Sequence, residues 1–205
     1  ILPTPAIGGV GLLADVDKMA TVAFKAEGDV LLAIGGKGYG TDLGQSLWLR
    51  EIHGLEAGSP PPVDLQQERL AGEFVRTLVA EQRVSAVHDI SDGGLLIAIV
   101  EMGLAGGLGA RLDPSFKNDH LDDDLRLKTM MFGEDQGRYV LAVPNEIWSS
   151  IADRAIEAGL ACRWLGSVGG EAISVSGGPA QWTWKLTDLR AAHEGFFPAL
   201  MDSEL

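Results

Sequence analysis

The stretch His88-Asp89-Ile90-Ser91-Asp92-Gly93-Gly94-Leu95 restricts what this chain can fold into more than any other. Val84, Ala86 and Val87 precede it. An apolar segment, Leu95 to Leu104, follows it and closes on Gly106-Gly107-Leu108-Gly109. This order predicts a short strand, a polar corner and then a helix. Leu95, Leu96, Ile97, Ile99 and Val100 leave Glu101 as the only charge, so the helix is apolar nearly all round and belongs in an interior. Each of those large side chains stabilises by about 1.5–3 kcal/mol when fully buried. Ser91 or Asp92 is expected to cap the helix by accepting from its first free N–H groups. Gly93 and Gly94 permit a tight turn and the close approach of another surface. That surface is either packed protein or an anion such as a phosphate, because bare helix N–H groups suit both.

A chain of 205 residues can hold one large domain or two small ones, and its 46% hydrophobic and 22% charged content is that of a globular protein. The net charge of −13 argues against a nucleic-acid or anionic membrane surface, either of which needs a basic patch. It leaves room for a small anionic substrate held by backbone N–H groups. Cys162 is the sole cysteine, which rules out a disulfide framework and a cysteine metal cluster and fits a reducing, cytoplasmic setting. No apolar run approaches the ~20 residues of a membrane span. The start, Ile1-Leu2-Pro3-Thr4-Pro5, lacks the basic and apolar regions of a signal peptide and has no initiator Met. It reads as a linker, residues 1–5, leading into a single domain cut from something longer.

Along the chain, Ala6 to Val16 carries Gly8, Gly9 and Gly11 and is expected to be a strand needing close backbone neighbours. Asp29 to Gly35 reads as a buried strand. Gly35-Gly36-Lys37-Gly38-Tyr39-Gly40-Thr41 has the glycine density of a phosphate loop but not its residue order, so it reads as a turn. Leu43 to Ile52 is expected to be a helix with Leu47, Trp48 and Ile52 on one side. After the stiff spacer Ser59-Pro60-Pro61-Pro62, Asp64 and Gln67 make a capping-box-like pair. It opens a scaffold helix whose inner face is Ala71, Phe74, Val75, Leu78 and Val79. Gly109 to Leu112, Tyr139 to Pro144, Ala161 to Val168 and Ala172 to Ser176 are expected strands, with Gln181 to Leu186 an edge element. Asn145 is expected to cap a helix ending at Gly159. Asp188 to Met201 reads as a terminal helix interrupted near Gly195 and Pro198. The alternation predicts a layered α/β/α domain around a mixed sheet.

Few constellations survive as self-contained chemistry. His88, Asp89 and Ser91 are near neighbours in sequence, and triad members must instead meet in space with the base between the other two. His88-Asp89 reads as a bonded structural pair or, less simply, as metal ligands. His53, His120 and His193 have no ligand spacing. Asp122-Asp123-Asp124 reads as a solvated run or a helix start, since a calcium loop needs alternating ligands and a distant Glu. Glu134 and Asp135 are adjacent carboxylates on one loop and are expected to point apart.

Four stretches together resemble one family: Ile1-Leu2-Pro3-Thr4-Pro5-Ala6-Ile7-Gly8-Gly9-Val10-Gly11, Asp42-Leu43-Gly44-Gln45-Ser46, His88 to Leu95, and Phe132-Gly133-Glu134-Asp135-Gln136-Gly137-Arg138. The ending His193-Glu194-Gly195-Phe196-Phe197-Pro198 adds to it. The family resembled is phosphoribosylformylglycinamidine synthase, a ligase and amidotransferase of purine biosynthesis. Its C-terminal domain type is shared with aminoimidazole ribonucleotide synthase, selenophosphate synthetase and thiamine-monophosphate kinase. The resemblance implies the last domain of the second of two repeated units. The reaction it implies makes formylglycinamidine ribonucleotide from formylglycinamide ribonucleotide, glutamine-derived ammonia and ATP. It implies ATP and magnesium held mostly on N-terminal-type domains of the same polypeptide, a glutaminase subunit or domain, and a small accessory subunit. Glu134, Asp135 and Gln136 match a substrate loop that reads Glu-Ser-Gln in the first unit. Asp135 in place of the hydroxyl residue adds negative charge there, which favours a degenerate site. Candidate nucleotide or phosphate contacts are Asp89, Ser91, Asp92, Gly93, Gly94, Gln136 and Arg138. No residue is expected as catalytic acid or base, and none as a metal ligand. The rival readings are a kinase-type or selenophosphate-type relative and a non-enzymatic interaction module.

Overall fold

The structure is a computed structural model that describes residues 7–36, 40–113, 123–176 and 181–202. Among the described residues, seven strands form one mixed sheet: β1 (Val30–Ile34), β2 (Ala86–Asp89), β3 (Ala110–Leu112), β4 (Tyr139–Val143), β5 (Cys162–Val168), β6 (Ala172–Val175) and β7 (Trp182–Lys185). Their order across the sheet is β2-β4-β1-β5-β3-β6-β7. The β3–β6 pair is parallel, and the remaining pairs are antiparallel. Helices α3 (Gly94–Gly106), α4 (Asp123–Phe132) and α6 (Leu186–Asp202) cover one face, and α2 (Leu65–Ala80) and α5 (Trp148–Glu157) cover part of the other. The expected α/β/α layering is therefore present.

Period-two alternation explains the two cores. On β1, Leu31 and Ala33 join the cluster under α3, while Val30, Leu32 and Ile34 join the cluster under α2 and α5. Every residue of β1 is consequently buried. In α3, Leu95, Leu96, Ala98, Ile99, Met102 and Leu104 are buried, as expected for a helix without a polar face. In α2, Ala71, Val75 and Leu78 are buried and Phe74 packs partly against them. Asp64 caps α2 by accepting from the N–H groups of Gln66 and Gln67 at 3.0 and 3.1 Å.

Several expectations need correction. Residues 7–20 form no strand; this stretch is almost wholly exposed and pairs with no strand of this sheet. Helix α1 (Leu47–His53) starts four residues later than Leu43, because Ser46 provides its cap, and Ile52 is exposed rather than inward. Asn145 does not cap α5: Ile147 occupies that position with no side-chain cap. Helix α6 runs through Gly195 and Pro198 without interruption. Proline lacks the N–H that would bond back to Glu194, but both residues are exposed, so water can satisfy that carbonyl. The helix-start reading of the acidic run, by contrast, holds where it can be followed: Asp122 lies outside the described residues, and α4 begins at Asp123, with Asp124 paired to Lys128 at 2.5 Å.

Candidate functional site: a corner plugged by its own carboxylate

Register alone brings the two informative stretches together. β2 pairs antiparallel with β4, and Asp89 lies opposite Tyr139. The chain leaving β2 therefore starts beside the chain entering β4. One further bond, from Ile90 N–H to the Arg138 carbonyl at 2.9 Å, extends the ladder into the corner.

At the corner Gly94 has φ +74°, and a Cβ there would lie 2.7 Å from the Phe132 carbonyl carbon and 2.8 Å from the Gly133 oxygen. Only a residue without a side chain lets the two backbones come this close. Gly93 sits at the cap position of α3 in the left-handed conformation, with no side chain to offer. The capping acceptor comes instead from 41 residues along the chain: Glu134 Oε1 accepts from Gly93 N–H at 2.8 Å. The same oxygen accepts from Leu47 N–H, at the start of α1, at 2.9 Å. One carboxylate thus meets two helix starts, where partial positive charge favours an anion. This corrects the expected cap. Ser91 and Asp92 are exposed, and the Ser91 carbonyl, not its hydroxyl, accepts from Gly94 N–H at 3.0 Å.

Asp135 points away from Glu134, as expected of neighbours on one loop. It accepts from Thr41 N–H at 2.9 Å and from the Thr41 hydroxyl. Arg138 is 2% exposed. Its Nε donates to the Asp135 carbonyl at 2.9 Å and Nη2 to the Gly133 carbonyl at 2.6 Å, while Nη1 has no hydrogen-bond partner among the described residues. Burial pulls the guanidinium below its ordinary pKa, opposed by the Asp135 carboxylate, 3.9 Å away. Arg138 therefore works as an internal brace for residues 133–135. Gln136 is exposed and lines a cavity of about 250 Å³ with Gly36, Thr41, Asp64, Glu68 and Asp135. Three carboxylates line that cavity, which is a poor setting for a phosphate.

His88 ties β2 to α3, with Nε2 3.0 Å from Glu101 Oε2 and Nδ1 3.3 Å from Asp89 Oδ1. That is the bonded pair expected from sequence, extended by Glu101. No hydrogen bond joins His88 to Ser91 among the described residues, so no triad forms. Among the described residues there is also no group of three or more His, Cys, Asp and Glu able to hold a metal. Thr41, Ser46 and Leu47 were not predicted as site residues. Ser46 ends the stretch Asp42 to Ser46 and Thr41 and Leu47 flank it, but only the fold shows that Thr41 meets Asp135 and Leu47 meets Glu134. Trp48, on α1, stacks on Phe132 with ring centroids 4.1 Å apart and closes this contact from the α1 side.

Residues 26–176 match the family described as AIR synthase related protein, C-terminal domain. The chain belongs to this family. Among curated relatives, the phosphoribosylformylglycinamidine synthase subunit PurL of Mesorhizobium japonicum is 43% identical over 207 residues, covering 98% of this chain and 26% of the relative. The PurL of Rhodopseudomonas palustris strain BisA53 is 46% identical over 201 residues, with the same two coverages. The AIR-synthase-type chain thus spans about a quarter of the length of the curated relatives it matches. Among solved structures, Thermotoga maritima PurL complexed with FGAR superposes with a TM-score of 0.72 at 20% identity, over 85% of this chain and 30% of that one. Escherichia coli HypE, a hydrogenase maturation protein, superposes with a TM-score of 0.56 at 19% identity, over 82% and 52% of the two chains. These likenesses show a shared fold.

Proposed function

We propose that this chain is the C-terminal-type domain of the second repeated unit in a PurL-type phosphoribosylformylglycinamidine synthase. The observation carrying this is identity of 42–46% to PurL subunits across 98–100% of the chain. The whole enzyme then joins glutamine-derived ammonia to formylglycinamide ribonucleotide using ATP, in the cytoplasm. Its N-terminal-type domains hold ATP and magnesium, a glutaminase subunit supplies the ammonia, and a small accessory subunit completes the assembly. No helix among the described residues is long and apolar enough to cross a membrane.

Within that enzyme this domain supports the fold and lines a degenerate site. A nucleotide phosphate fits the corner poorly. Gly93 N–H and Leu47 N–H already share the Glu134 carboxylate, and Gly94 N–H is bonded to the Ser91 carbonyl. The Arg138 guanidinium is buried and spends two donors on its own loop. Glu134 thus takes the place an incoming anion would need and locks α1, α3 and the 133–138 loop into one unit. Asp89, Ser91 and Asp92 remain exposed for contact with a neighbouring nucleotide-handling domain.

The test is direct. The purified chain, given ATP and magnesium, releases no phosphate, and a non-hydrolysable ATP analogue produces no binding heat. Turnover by the chain that disappears in Asp92→Ala would overturn the assignment of a supporting role.

A further inference from the structure

Residues 7–16 present an anomaly that the fold does not absorb. Ile7, Val10, Leu12, Leu13 and Val16 are 92, 102, 100, 66 and 64% exposed. Among the described residues, the amides of 8–13 have no hydrogen-bonded partner. The chain meets the domain at Asp17, whose carbonyl accepts from Gln82 Nε2 at 3.2 Å, then at Thr21, which makes a parallel bridge to Ala86 at the sheet edge, and at Phe24, which is buried. An apolar segment left this open in water gains nothing from burial and leaves its backbone unpaired.

Two boundaries say where it belongs. The family domain begins at residue 26, so residues 7–16 lie outside it. The PurL relatives nevertheless match 98–100% of the chain and extend well beyond it, since the match covers only 26% of their length. Three glycines in Ile7-Gly8-Gly9-Val10-Gly11-Leu12-Leu13 argue against a helix. As a strand, the segment puts Gly8, Val10 and Leu12 on one face and Ile7, Gly9, Gly11 and Leu13 on the other. Such a strand offers apolar side chains on both faces and, at its glycines, admits another layer closely.

We infer that residues 7–16 are a strand of the sheet in the adjoining N-terminal-type domain of the same polypeptide, lent across the boundary before Thr21. This rests on the chain being one domain of a PurL-length protein. Its partner is a sheet edge that supplies main-chain hydrogen bonds and an apolar surface for Val10 and Leu12.

Hydrogen exchange on the full-length natural protein tests it. The amides of 8–13 are expected to exchange at least about tenfold more slowly than unstructured peptide. Exchange faster than that threshold in the full-length protein overturns the inference. In a second measurement, full-length Val10→Pro, which removes one main-chain donor, is expected to speed exchange at 8–13 by about tenfold or more while 94–104 stay protected. Unchanged exchange at 8–13 in that variant also overturns it. Absence of formylglycinamidine ribonucleotide synthesis with protection intact would remove the functional reading alone. Synthesis with the segment unprotected would remove this inference alone.

Discussion

Gly94→Ala, measured against Gly107→Ala, isolates the close approach that joins the corner to the 133–138 loop. The two glycines have nearly the same backbone conformation, with φ +74° and +69°. An L-residue there costs about 1–2 kcal/mol, and this part is common to both substitutions. Both also gain about 0.5–1 kcal/mol from the lower entropy of the unfolded chain. The surroundings differ. A Cβ at Gly107 meets nothing within 4 Å, whereas one at Gly94 lies 2.7 Å from the Phe132 carbonyl carbon and 2.8 Å from the Gly133 oxygen. Both obstructing atoms are backbone, so relief requires moving the end of α4 and the loop that carries Glu134. Overpacking of this kind costs about 1–3 kcal/mol. Gly107→Ala should therefore change stability by about 1 kcal/mol or less, and Gly94→Ala by about 1–3 kcal/mol more. Urea denaturation followed by circular dichroism reads this as a shift in midpoint at constant slope. At about 2–4 °C per kcal/mol for a chain of this size, the two melting temperatures should also separate by several degrees. Equal losses in the two variants would refute the claim that contact with residues 132–133, rather than backbone conformation, makes Gly94 necessary.

Glu134→Ala removes the acceptor shared by Gly93 and Leu47, and charge-assisted bonds of this kind are worth about 1.5–3 kcal/mol, so the loss should fall in that range. Glu134→Gln keeps one acceptor oxygen and should recover most of it; equal losses in the two unfolding curves would argue against the bridging role. Arg138→Met strips donors from the Gly133 and Asp135 carbonyls, and limited proteolysis should then cut near residues 133–137 faster than in the parent chain. Burial pushes the Cys162 thiol up from 9.0 to about 11, so alkylation at pH 8 should be slow. The unfolded thiol ionises first, so its contribution makes stability fall as pH rises from 9.0 to about 11, and Cys162→Ser should remove that slope. Phe132→Ala removes the Trp48 stack, worth about 0.5–1.5 kcal/mol beyond area, and should shift tryptophan emission to the red as α1 loosens.

Local composition determined a good deal by itself. The stretch from Leu95 to Leu104, apolar but for Glu101, read as an interior helix, Asp29 to Gly35 as a buried strand and Tyr139 to Pro144 as a strand, and each is found as such. Asp64 announced a helix start because its short carboxylate reaches the amides two and three residues ahead, all within one local stretch. Glycines 93 and 94 announced a close approach without saying by what. The tertiary structure decided that, through the register of β2 on β4, which sets Asp89 opposite Tyr139 and so places Glu134 at the head of α3. Capping from a residue 41 positions away leaves no local spacing to read, which is why Ser91 and Asp92 looked like caps and are not. The pairing of Thr41 with Asp135, across 94 positions, was hidden for the same reason. Helix α6 passing through Pro198 was equally a matter of surroundings, since an exposed carbonyl can be satisfied by water where a buried one cannot. The sequence thus specified the parts and their need for partners within hydrogen-bond reach. Which partners they found depended on contacts between residues far apart in the chain, and those exist only once the sheet has brought its strands together.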